Sequence, residues 1–225
     1  MGLAVVLAGC VRDPLSAECP ALEPGELVIS ELFKGDGTNH AWIELYNPTD
    51  RAHTLGGLRV AAVPLTGDIS KTWAFTVRDG ELGVEPGGYV VLGQGDPRFW
   101  DYVDYDYTDD QSDDLEVEAE LSIHACAERI DTVVYRGRPG VAGDDDSGTG
   151  DTGGTGDTGD TGAAPDAPPI TGPASFALDG AAPPSADDND DTEERWCLDP
   201  TIHQTDPKKK PTFGTPGEAN PPCPA

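Results

Sequence analysis

Positive charge is the scarcest property of this sequence. Lys and Arg number 14 against 42 Asp and Glu, leaving a formal net charge of −28. A chain so acidic repels phosphate backbones, which argues against a nucleic-acid partner. Long apolar runs are missing too. No stretch approaches the ~20 residues that a membrane-spanning helix needs. Nucleophile elbows (GxSxG), zinc-protease helices (HExxH) and phosphate loops are all absent. The four histidines, His40, His53, His124 and His203, show no metal-ligand spacing and read as surface or turn residues. No segment carries a helical apolar period. These gaps set aside helical bundles and the common metal, nucleotide and serine-hydrolase chemistries.

What the chain does contain begins at its start. MGLAVVLAGC places Leu7-Ala8-Gly9 directly before Cys10. This matches a bacterial lipobox, in which small residues precede a cysteine that is acylated and becomes the new N-terminus. Residues 1–9 then form the signal peptide and 10–24 a tether. Cys10 is the expected lipidation site, and Val11 after it points to the outer membrane. The apolar core is short and lacks a basic flank, so a start codon placed too late is expected.

From Leu27 the text changes. LVISELF, AWIELYN, LRVAAV, TWAFTV and YVVLG are short β-branched and aromatic runs, separated by GDGTN, NPTD, LTGD and EPGG. This spacing predicts antiparallel strands of a sandwich or barrel. Residues 115–123 alternate apolar and acidic, so Leu115, Val117, Ala119, Leu121 and Ile123 should face inward. ERIDTVVY adds a strand ending at Tyr135. In WIELYN, Ile43 and Leu45 should point to the core, with Trp42, Glu44 and Tyr46 on the opposite face. Asn47-Pro48 should end that strand.

Residues 140–169 are dominated by Gly, Asp, Thr, Pro and Ala. They offer nothing large to bury after Val141, so a disordered, extended acidic insert is expected. The C-terminal stretch beyond residue 169 is too short and polar to bury a core alone. The insert therefore reads as a loop within one domain, residues 25–222. Its Asp-Thr-Gly copies, beginning at Asp151, Asp157 and Asp160, share the tripeptide of aspartic proteases. They lack the apolar surroundings that let two carboxylates share a proton.

WIELYNP together with LGGLRV, EPGGYVVLG and TPGEAN resembles the lamin tail domain family. The residues that carry the likeness are Trp42, Glu44, Tyr46, Asn47, Thr215, Pro216, Gly217 and Asn220. The resemblance covers roughly residues 25–142 and 170–220. It implies an immunoglobulin-like antiparallel β-sandwich serving as an interaction module without catalytic residues. The expected function is a lipid-anchored binding or structural module of the cell envelope. Its partners would be the membrane, through the anchor, and an envelope protein or polysaccharide.

Two other features bear on ligands. Asp187-Asp188-Asn189-Asp190-Asp191 gathers hard oxygen ligands. It makes Ca2+ the one candidate cofactor and a Ca2+-dependent adhesion module the first alternative; an exported hydrolase is the second. Residues 101–114 interleave Asp with Tyr, a combination suited to sugar or protein contact. With Cys10 lipidated, four cysteines remain, and three pairings are open. Because domain ends often lie close together, Cys19–Cys223 and Cys126–Cys197 are expected.

Overall fold

The computed structural model describes residues 19–35, 40–65, 69–98, 100–111, 115–116, 118–135, 174–189, 195–203 and 212–224. Cys10, most of the tether, the acidic insert, Asp190 and Asp191 lie outside them.

The strands in chain order are β1 (Val28–Phe33), β2 (Trp42–Tyr46), β3 (His53–Thr54), β4 (Leu58–Pro64), β5 (Trp73–Thr76), β6 (Gly83–Val84) and β7 (Tyr89–Gly93). They continue as β8 (Tyr105–Asp106), β9 (Ala119–Ala125), β10 (Glu128–Tyr135), β11 (Ser175–Leu178), β12 (Trp196–Asp199), β13 (Ile202–His203) and β14 (Thr212–Phe213). One helical turn, α1 (Ala186–Asn189), precedes β12.

The fold is an all-β sandwich. A six-stranded sheet runs β12-β11-β1-β2-β7-β8, and a four-stranded sheet runs β10-β9-β4-β5. All pairs are antiparallel except β7–β8. Between the sheets lies one large apolar core that includes Leu27, Ile29, Ile43, Leu45, Val60, Leu92, Leu121, Ile123, Val133 and Phe176. The period-2 alternation of β9 puts Ala119, Leu121 and Ile123 into that core and leaves Glu120 partly exposed. Leu115 is buried as well; Val117 is outside the described residues.

The turn chemistry follows the sequence closely. Gly87 has φ +67° after Pro86, and the Gly88 N–H donates to Glu85 O at 2.9 Å. That is the type II arrangement, which needs a residue free to take positive φ at its third position. Asn47 closes β2. Its amide donates to Arg51 O at 2.8 Å, Val84 O at 3.2 Å and Glu85 O at 3.1 Å, while its oxygen accepts from the Thr49 N–H at 2.9 Å. Asn47 is fully buried, and its one side chain ties together three carbonyls of the turn region.

Two expectations need correction. The disulfides are Cys19–Cys126 and Cys197–Cys223, with Cα atoms 5.5 Å and 5.8 Å apart. They are not Cys19–Cys223 and Cys126–Cys197. The reason is the path of the two ends. The incoming segment runs beside β10, where the Gly25 N–H donates to Ile130 O at 2.9 Å, and this leads Cys19 to the β9–β10 turn that holds Cys126. The outgoing segment runs beside β11, where the Gly180 N–H donates to Pro221 O at 3.1 Å. Cys197 on β12 pairs in register with Ala177 of β11, so Cys223 meets it there. The second correction is His53, which is buried on β3 rather than at the surface and lies 2.9 Å from the Thr49 hydroxyl.

Candidate functional site

β1 and β2 are buried along their whole length. Strands buried on both faces must be covered on the side away from the main core. The cover comes from the C-terminal loop, the β13–β14 hairpin and the segment around Tyr102. Phe33, Trp42 and Val91 form a second apolar cluster there, with Tyr102 and Phe213 against it. The Trp42 indole N–H donates to the Thr212 hydroxyl at 3.1 Å. Trp42, Glu44 and Tyr46 thus do lie on the opposite face from Ile43 and Leu45, but that face is buried too.

At its centre are two carboxylates that sequence reasoning did not bring together. Glu31 and Glu44 are cross-strand partners on β1 and β2. Both are fully buried. A bulge at Ser30 shifts the register between Ile29 and Glu31. It frees the Ile29 N–H to donate to Asp131 Oδ2 at 2.7 Å, and it turns the Ser30 hydroxyl onto Glu44 Oε1 at 2.7 Å. Like charges directly opposite one another destabilise a sheet, so this pairing demands compensation.

The TPGEAN loop supplies it. The Thr215 N–H reaches both oxygens of Glu31 at 3.2 Å, and the Ser175 hydroxyl also donates to Glu31. The Gly217 N–H donates to Glu44 Oε2 at 2.7 Å. Asn220 bridges two strands, donating to Ser30 O and Leu178 O, each at 2.9 Å. Glu44 of one motif and Thr215, Gly217 and Asn220 of the other are therefore brought to one place. Pro216 lies in the same loop. Burial pushes the Glu31 carboxyl up to about 8, although Ser175 and Thr215 pull it down. Burial raises Glu44 well above the usual carboxylate range, and the Glu31 charge adds to the rise.

Gly217 also lines an open cleft of about 420 Å³ with Tyr89, Asp101, Tyr102, Asp104, His203 and Glu218. Burial pushes the Tyr89 and Tyr102 hydroxyls each up to about 12. The Glu44 charge adds to the rise at Tyr89. Burial raises Asp104, whose Oδ2 accepts the Val91 N–H at 2.8 Å. The Tyr102 ring meets His203 edge-on at 5.7 Å between centroids. The Asp/Tyr-rich stretch divides here. Asp101, Tyr102 and Asp104 face the cleft, whereas Tyr107 is buried and stacks on Phe75 at 4.4 Å.

The acidic run at Asp187 divides as well. Asp187 is exposed, and Asp188 binds the Ser185 hydroxyl at 2.7 Å and Arg195 at 3.4 Å. Asn189 turns inward and donates to Ile29 O at 3.3 Å and to Asp131 Oδ2. Its side chain is thus committed to the core rather than grouped with Asp187. Among the described residues, no three His, Cys, Asp or Glu side chains are gathered as a metal site.

The sequence carries a signal for the missed pair. Glu44 stands between Ile43 and Leu45, and Glu31 lies between Ser30 and Leu32 in ISEL, each carboxylate set in an otherwise largely apolar run. No protein-family model matches this chain, and a search of curated proteins returns no relative.

Proposed function

We propose that this chain is a lipid-anchored, non-catalytic module of the lamin-tail type at the outer membrane, and that it binds an envelope polysaccharide through the Tyr89–Tyr102 cleft. The observation that supports this reading is the make-up of the cleft. Tyrosine rings offer flat apolar faces to sugar C–H groups, and Asp101, Asp104 and Glu218 offer acceptors to sugar hydroxyls. The cleft stands on β7 and on a loop bolted to the buried carboxylates, so it is preorganised. Preorganisation lowers the entropy that binding must overcome.

Calorimetric titration with purified envelope polysaccharide tests it. Binding should weaken about tenfold or more in Tyr102→Ala. Polysaccharide affinity unchanged in that variant, or none in the native protein, would reject the cleft. Repeating the melt in millimolar Ca2+ separates the adhesion alternative, since an ion at 100 times its Kd adds about 2.7 kcal/mol. A screen on esters, phosphates and peptides addresses the hydrolase alternative. Anchoring has its own measurement: the mass of the native N-terminus should show an acylated Cys10.

A further inference from the structure

The outer face of the four-stranded sheet carries a row of bases. Arg59 of β4 is in register with His124 of β9, and His124 is in register with Arg129 of β10. Arg59 and Arg129 are exposed and His124 half-buried. Burial and the charges of Arg59 and Arg129 lower the His124 pKa. Arg59 and Arg129 stand on the strands either side of β9, so His124 lies between two fixed positive charges. The row is also notable for what it lacks. Arg51, Lys71, Arg78, Arg98 and Arg195 all hold carboxylates. Among the described residues Arg59 and Arg129 form no ion pair, although acidic residues outnumber basic ones 42 to 14. Glu120 lies further along the same face of β9, and Glu128 stands at the hairpin tip.

The second observation is where the tether arrives. The β9–β10 turn is Cys126–Ala127, with Cys126 at φ +52°, and the Cys19–Cys126 disulfide fastens the incoming chain to it. The basic row begins two residues from Cys126. From Cys10 to Cys19 the chain spans nine residues, which reach roughly 30 Å at full extension. An anchor at Cys10 therefore holds this end of the sandwich near the bilayer, whatever path those residues take.

We propose that the Arg59–His124–Arg129 row is the membrane-facing surface of the protein and takes the phosphate groups of anionic lipid headgroups. This rests on the reading of Cys10 as the anchor. It gives the anchored sandwich an orientation: basic hairpin down, the strongly acidic remainder repelled from the same surface. Each surface arginine near an anionic leaflet contributes about fivefold to the docked population.

The test makes anchoring independent of cellular acylation. With the other four cysteines in disulfides, Cys10 is the free thiol of the full chain. It can be coupled to a maleimide lipid in vesicles of phosphatidylcholine, with or without phosphatidylglycerol. Amide hydrogen exchange is then followed in β9–β10, with β7 as internal reference. Exchange of the hairpin amides should slow severalfold on phosphatidylglycerol vesicles only, and high salt should abolish the effect. Free phosphate added to phosphatidylcholine vesicles should leave exchange unchanged. The Arg59→Gln/Arg129→Gln variant should lose the slowing and Arg59→Lys/Arg129→Lys keep it, each with an unchanged melt. Equal exchange on both membranes, or slowing that survives in the glutamine variant, overturns the proposal. Failure of the anchoring reading would appear separately, as an unacylated native Cys10.

Discussion

Glu31 and Glu44 are the side chains from which a pH response of this protein is expected. Their carboxyls are held out of water opposite one another, so the folded state binds protons that the unfolded chain releases near pH 4.3. A folded pKa raised above the unfolded one gives stability that is full below about pH 4.5. It is lost as pH rises toward the folded value, about 8 for Glu31. The melting temperature should therefore fall between pH 5 and pH 8.5. Glu44→Gln should flatten that slope, because one buried charge is then never formed. A slope unchanged in the variant would remove the pair as its source. Asn220 supports a second prediction. Its amide satisfies Ser30 O and Leu178 O, and Asn220→Ala would leave both buried carbonyls unpaired. We expect a loss of about 2 kcal/mol in denaturant unfolding.

At the scale of elements, the C-terminal loop and the two disulfides decide how the sheets close. Gly214 leads into the loop at φ +102°, and a Cβ there would collide with Glu31 Oε1 and the Ser175 hydroxyl. Gly214→Ala should thus destabilise the protein by more than the ordinary cost of a strained backbone, about 1–3 kcal/mol. Its signature should be exposure of Trp42 by fluorescence, since Thr212 two residues earlier holds the indole. The disulfides close loops of different length, with separations of 107 and 26 residues. Chain entropy assigns them at most about 4.8 and 3.5 kcal/mol. Cys19→Ser/Cys126→Ser should therefore melt below Cys197→Ser/Cys223→Ser. The reverse order would mean that the β11–β12 edge depends on its staple more than the hairpin does.

For the whole molecule, the informative contact is β1 with β11. Glu31 pairs with Ala177 and Leu32 with Phe176, so chain on either side of the acidic insert builds one sheet. Phe176 and Trp196 stack at 4.5 Å within the same core as Leu121 and Val133. Excision of residues 143–169 should leave the sandwich folded. Loop-closure entropy changes by only about 0.6 kcal/mol per doubling of length, so the melting temperature should move by a few degrees at most. Collapse of the two-state melt on excision would show that the insert contributes contacts of its own.

The sequence by itself determined the longer strands, because period-2 alternation and turn residues act over a few positions, whereas the short pairs such as β3–β6 and β13–β14 carry no such signal. The runs at 28–33, 42–46, 58–64, 89–93 and 128–135 and the Pro86-Gly87 turn are all readable from neighbours alone. It also marked the WIELYNP and TPGEAN segments without saying that they touch. Only the tertiary structure decided that Gly217 meets Glu44, that Glu31 faces Glu44 across a bulge, and that Asn189 turns inward. The disulfide pairing was decided the same way. Closeness of chain ends favoured Cys19–Cys223, but one end runs beside β10 and the other beside β11, and each reaches a different cysteine. Register and strand order join residues more than a hundred positions apart, and no local pattern encodes which edge a passing segment will follow. The same holds for the basic row: Arg59, His124 and Arg129 are scattered in the text and adjacent only because β4, β9 and β10 are neighbours.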